Sequence, residues 1–220
     1  GVWRVSLQAI TASVLVIGNE ILSGRTQDIN LNHIATTLGE WGIQVREARV
    51  VADIEEEIVA AVNELRSRYD YLFTTGGIGP THDDITAACV AKAFGVGIER
   101  HPEAVKLLQT YIPADRLNEA RLKMADVPIG GELIQNPVSK APGFRMENVF
   151  VMAGVPSIMR VMFDGLAPYL QGGTRVLSQA VASYLPEGTV AEGLGQIQER
   201  YPDADIGSYP FYRGGKFGCT

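Results

Sequence analysis

The sequence predicts an α/β protein built on a mostly parallel sheet, followed by a small second α/β piece. Three observations carry this. Short apolar runs such as Ala12–Gly18 and Tyr71–Phe73 read as buried strands. Between them lie stretches with apolar residues at spacings of three and four, as in amphipathic helices. The connections are only a few residues long, so β-α-β-α-β-α order implies parallel strands with right-handed crossovers.

The first strand, Ala12–Gly18, is apolar and ends at a glycine, with Glu20 just beyond it. Thr26 is the expected N-cap of a helix running to Trp41, whose stripe is Leu31, Ile34, Ala35, Leu38 and Trp41. Asp28 and Asn30 then fall in its first turn, where an aspartate is favoured by the helix dipole alone. His33, one turn on, reads as a surface or boundary residue. Ile43–Val51 is a second strand, and Asp53 is placed to open a helix with Ile58, Ala61, Val62 and Leu65 inward. A third strand spans Asp70–Thr75, and Ile85–Phe94 is a short helix closed by Gly95. His101-Pro102 begins a further helix; after Pro113 the chain is polar, and Arg116, Glu119, Arg121 and Lys123 are expected to be exposed. Ala141–Phe144 reads as a tight turn, and Asn148–Gly154 as the fourth clear strand. A helix is expected from Ser157 to Tyr169, with Ile158, Val161, Met162 and Leu166 inward. These elements define a domain over 12–171. Gln171–Thr174 reads as a linker, and 174–220 as a small α/β subdomain: a strand-like 175–184, a helix 189–201 and a strand 205–211. The chain stops as a new strand would begin, so this piece reads as truncated.

The chemistry points to Thr74–Thr86, with sequence TTGGIGPTHDDIT, at the carboxyl end of a strand, where open α/β sheets place ligands. Gly76, Gly77 and Gly79 allow a bare backbone to approach an anion, and the following helix start suits a phosphate. Asp83 and Asp84 would repel that phosphate unless a divalent cation lay between them. The same residues admit a local reading, since Thr81 and Asp84 have capping-box spacing. Neither a dinucleotide fingerprint nor a P-loop is present. Gly154 and Ser157 form a second strand-to-helix junction, and two such junctions can frame one site.

Composition narrows the ligand. The 220-residue chain is 46% hydrophobic with a net charge of −6 and pI near 5.1, which argues against a nucleic-acid surface. No run approaches the roughly 18 apolar residues of a membrane helix. Cys89 and Cys219 share no metal or redox spacing, so a reducing cytoplasm is the expected compartment. Residues 1–8 read as an upstream extension or a cloning remnant rather than a signal peptide.

Ile17–Gly24, Asp28-Ile29-Asn30, the Thr75–Thr86 loop, Asn136, Ala141–Phe144, Gly154-Val155-Pro156 and Gly207–Phe211 together resemble the amino-terminal part of the CinA (competence/damage-inducible protein A) family, within the molybdopterin-binding domains of MoaB and MogA type. The resemblance implies a three-layer α/β/α domain, a homo-oligomer, and one of two functions. The first is divalent-metal-dependent (Mg, Mn or Co) pyrophosphatase action on ADP-ribose or FAD. Here Gly76, Gly77 and Gly79 would hold phosphate with Thr81, Thr86, Asn30, Gly154 and Ser157 nearby. Asp53, Asp83 and Asp84 would act with Glu20 on metal or water, and His82 would be a candidate proton donor. The second is binding of molybdopterin or another phosphorylated pterin without hydrolysis, with Asp53 and Asp84 important there too. The family commonly has Gly-Asp-Glu where this chain has Gly18-Asn19-Glu20. The Leu-Pro-Gly common before its Val-Pro turn is Met152-Ala153-Gly154 here, and Ile158 replaces a frequent glutamate.

Overall fold

A computed structural model describes residues 9–220; residues 1–8, and with them the extension reading, lie outside it. The chain divides into two compact units between Val176 and Leu177.

In the first unit the elements are β1 (Ile10–Ile17), α1 (Asn19–Leu22), α2 (Asn30–Glu40), β2 (Ile43–Val51), α3 (Glu55–Arg68), β3 (Tyr71–Thr75), α4 (Thr86–Phe94), β4 (Ile98–Arg100), α5 (Pro102–Tyr111), α6 (Glu119–Leu122), β5 (Asp126–Pro128), β6 (Glu132–Ile134), β7 (Gly143–Met146), β8 (Val149–Met152) and α7 (Pro156–Asp164). Six strands form one sheet in the order β2-β1-β3-β8-β7-β6; β4 and β5 pair separately. The β2, β1, β3 and β8 pairings are parallel, and β7 and β6 are added antiparallel. The mostly parallel α/β sheet predicted from the apolar runs is present.

Each sheet face has its own core, which is what makes the parallel strands apolar on both sides. On one face Val14, Val16, Phe73 and Phe150 meet Ile34 and Leu38 of α2 and Met159, Met162 and Phe163 of α7. On the other, Leu15, Ile17, Leu72 and Val151 meet Ile58, Val62 and Leu65 of α3 and Cys89 and Val90 of α4. Trp41 stacks on Phe163 at 5.5 Å between ring centroids, so it is held by the core.

Several expected boundaries shift. Thr26 caps no helix. Its N–H instead donates to the Glu20 carbonyl, and α2 starts at Asn30, where Asp28 accepts from the Leu31 N–H. Gly143 and Phe144 belong to β7 rather than to a turn, because β7 pairs with β8 on one side and β6 on the other. The helix after Val155 ends at Asp164, with a separate 3-10 turn at Ala167–Tyr169. In it Met159 and Phe163 are buried, whereas Val161 is 40% exposed.

The second unit contains α8 (Glu187–Arg200) and a hairpin of β9 (Pro210–Arg213) and β10 (Lys216–Cys219), turned by Gly214 and Gly215 at positive φ. Residues 175–184 form no strand. Their alternating pattern finds only a bridge from Ser183 to Cys219. The final strand, expected only to begin, is β10 itself.

Candidate functional site

The carboxyl ends of β1, β3 and β8 converge on one cavity of about 450 Å³. Its walls include Glu20, Thr26, Gly76–Gly79, Asp84, Asn136, Ser139, Gly154 and Pro156. The two strand-to-helix junctions therefore meet. A Cβ on Gly154 would lie 3.1 Å from the Gly76 Cα, and the Asn30 amide donates to the Gly154 carbonyl at 2.8 Å. Asn30 is 4% exposed, so it fixes this junction from beneath rather than facing solvent.

The glycines are required first by the chain itself. Gly76 and Gly77 have φ of 96° and 72°, where a side chain is strained. A Cβ on Gly76 would also overlap the Ile17 carbonyl, one on Gly77 the Thr86 hydroxyl, and one on Gly79 would sit 2.7 Å from Asp84 Oδ2. The Gly76 N–H donates to the Met152 carbonyl, so this glycine offers no hydrogen to an anion. Thr86 is fully buried; its hydroxyl donates to the Gly76 carbonyl at 3.0 Å and its N–H to the Gly77 carbonyl at 3.0 Å. The expected donor roles of Gly76 and Thr86 are thus corrected: both hydrogens close the loop. Among the described residues, the N–H groups of Gly77, Ile78 and Gly79 have no protein acceptor.

Thr81 and Asp84 do not cap α4, whose N-cap is Ile85. Asp84 Oδ2 instead accepts from the Thr81 N–H at 2.9 Å and hydroxyl at 2.7 Å, and the same hydroxyl bonds Asp83. This turn places Asp84 against Gly79 in the cavity wall and uses the Thr81 donors internally. His82 and Asp83 are exposed and outside the wall, so neither is positioned for the expected catalytic part. Ser157 is likewise exposed and outside it, although Pro156 and Ile158 line it.

Asp53, expected to open α3, is held elsewhere. Its carboxylate accepts from the Asn19 N–H at 3.0 Å, and its own N–H donates to Asn19 Oδ1 at 3.1 Å. Burial raises the Asp53 pKa, and the charges of Glu20, Asp83 and Asp84 raise it further, against the lowering by the Asn19 N–H. Asp83 titrates lower than usual because it accepts from Thr81, with smaller help from His82 and Lys123. Asp53 feels the other three acids, but among the described residues no three His, Cys, Asp or Glu converge as a ready metal cage. Glu20 and Asp84 line the wall and Asp53 is not among the lining residues, so a cation there would have two wall carboxylates and would take its other oxygens from ligand and water.

Asn136, in the wall, and Lys123, beside the loop but outside this wall, were given no site role from sequence. Asn136, 3% exposed, donates to Ser139 Oγ and the Ala141 carbonyl and accepts from the Val138 and Ser139 N–H groups, building the far rim. Lys123, expected to be exposed, is half-buried and donates to the Thr81 carbonyl at 2.8 Å. Lys123 lies in a polar stretch without periodicity, so no local pattern marks it.

The family model described as "Probable molybdopterin binding domain" matches residues 13–172. The chain belongs to the molybdopterin-binding domain family. Within it, the protein CinA with unknown function from Thermoplasma acidophilum has a crystal structure that superposes with a TM-score of 0.68 at 34% identity, covering 72% of this chain and 98% of that one. A CinA-like protein of Desulfosudis oleivorans is 38% identical over 209 residues, covering 89% of this chain and 51% of that protein, so this CinA-like chain spans about half that relative's length. A protein of Pyrobaculum calidifontis is 35% identical over 211 residues, covering 91% of this chain and 80% of that one. Residues 175–220 match a second model, "FAD synthase, middle domain". Among the described residues of this molybdopterin-binding-like chain, no helix is long and apolar enough to cross a membrane.

Proposed function

We propose that the glycine-loop cavity binds a phosphate-bearing nucleotide and that the chain is a pyrophosphatase acting on a diphosphate-linked compound of the ADP-ribose or FAD class. The observation that carries this is the pairing, in one wall, of unpartnered Gly77, Ile78 and Gly79 N–H groups with the carboxylates of Glu20 and Asp84. The amides supply hydrogen bonds to phosphate oxygens without a side chain in the way. Carboxylates do not help to bind an anion. Their presence beside those amides favours a task beyond binding, namely positioning a water against phosphorus and taking its proton.

Asp84 is suited to that part because the Thr81 N–H holds Oδ2 at 2.9 Å, with the Thr81 hydroxyl shared between Asp84 and Asp83. Glu20 faces the same space from α1. A divalent cation, Mg, Mn or Co, would be held by Glu20 and Asp84 together with ligand and water oxygens, and would supply charge neutralisation and a more acidic water. Attack of water on one phosphorus breaks the P–O–P link and releases AMP and a phosphorylated remainder. The match of residues 175–220 to a FAD synthase middle domain supports a dinucleotide substrate.

Incubating the protein with ADP-ribose or FAD and each metal, and assaying AMP, tests the reading. AMP should form with wild type and fall at least about 100-fold in Asp84→Asn, which keeps an acceptor for the Thr81 N–H while removing the base. A second reading, binding of molybdopterin or another pterin phosphate without hydrolysis, is favoured by the lack of a three-acid cage among the described residues. Tight pterin binding with no AMP under any metal would select it.

A further inference from the structure

Two cavities share the Gly77–Gly79 segment as a common wall. Beside the large one lies a second of about 110 Å³, lined mainly by apolar residues such as Ile85, Ile98 and Phe144, with Asp84, Asp126 and Lys123 as its charged members. Lys123 is the one cationic side chain lining either cavity, among the described residues. Glu20, Asp53, Asp83 and Asp84 surround the loop, and the whole chain carries −6. An anion arriving there meets a repulsive field unless something offsets it.

The ammonium is uncommitted. It gives one hydrogen bond, to the Thr81 carbonyl, and among the described residues it forms no ion pair. Its acidic neighbours have other partners: Asp126 pairs with Arg100 at 3.0 Å, Asp84 accepts from the Thr81 N–H at 2.9 Å, and Asp83, whose carboxylate also feels the Lys123 charge, shares the Thr81 hydroxyl with Asp84. An ammonium has three donors, so two remain for a ligand.

We propose that Lys123 is the side-chain contact for the phosphate oxygens of a ligand held on the Gly77–Gly79 amides, reached from the smaller cavity. This rests on the loop being an anion site, as read above, and extends it by assigning charge recognition to a residue outside the loop. The Thr81 carbonyl holds the ammonium at the loop before the ligand arrives, so little ordering is needed on binding.

The test is calorimetric titration of the full chain with inorganic pyrophosphate and with ADP-ribose at several salt concentrations, in wild type, Lys123→Gln and Lys123→Arg. Removing one charged hydrogen bond should weaken pyrophosphate binding about 10- to 100-fold in K123Q. It should also flatten the salt dependence, which a purely structural tether would not do. K123R should stay close to wild type. Should K123Q fail to fold, protection of Lys123 from acetic anhydride by pyrophosphate in wild type, read by mass spectrometry, gives the same answer. Unchanged K123Q affinity and salt slope, or no protection, overturns the assignment while leaving the loop as an anion site. Wild type that binds neither compound overturns the loop reading and this inference with it.

Discussion

Asn19 and Asp53 exchange two hydrogen bonds, each residue's backbone N–H donating to the other's side-chain oxygen, at 3.0 and 3.1 Å. The pair ties the segment after β1 to the segment after β2. Asn19→Ala leaves the Asp53 N–H without its partner. A loss of about 1 kcal/mol is expected in denaturant unfolding, whereas Asn19→Asp should keep the acceptor and recover part of it. Equal stability of N19A and wild type would contradict the clamp.

Asp53 also gives the stability a pH dependence of definite sign. Its folded pKa lies above its unfolded value of 3.8, because burial and three neighbouring acids disfavour the charge. The folded state therefore holds its proton more tightly, and stability falls as pH rises from about 3.8 through the raised folded pKa. Asp53→Asn removes that charge and can still accept from the Asn19 N–H. Its melting temperature should exceed that of wild type at pH 7, with the gap closing in acid. A gap that widens in acid would reverse the sign.

Gly77 and Thr86 should be energetically coupled. A Cβ at 77 overlaps the Thr86 hydroxyl, and φ of 72° adds strain whatever the space. Gly77→Ala alone and Thr86→Ala alone each disturb the loop, but the second change removes the atom that the first would strike. The double variant should be less destabilised than the two losses added, by about 0.5–3 kcal/mol. Strict additivity would show that the contact is not what requires glycine.

Cys89 is buried, and burial pushes its thiol up to about 11. At pH 7 almost none is thiolate, so a disulfide reagent should label it only after unfolding. Fast labelling of Cys89 in the native protein would show that α4 opens readily from the sheet.

The strands and main helices were legible because burial on both sheet faces leaves continuous apolar runs, as in Val14–Ile17, and stripes such as Ile58, Val62 and Leu65. Boundaries set by long-range bonds were not. Asp53 looks like a cap until Asn19, 34 residues away, is seen to hold it. Gly143 and Phe144 look like a turn until neighbouring strands claim them. At the site, the glycine loop declared its position but not its reasons. Three glycines read as room for a ligand prove to be demanded by Ile17, Thr86 and Asp84. Which amides remain free is a matter of partners, and sequence does not print partners.

The direct measurement is amide NMR of the full chain titrated with ADP-ribose. Saturable shifts at the Gly77, Ile78 and Gly79 amides, with the sheet-bonded Gly76 amide moving less, are the result expected from a main-chain phosphate cradle. If those three amides stay fixed while ligand binds, or if shifts gather only elsewhere, the cradle is not where the anion is held.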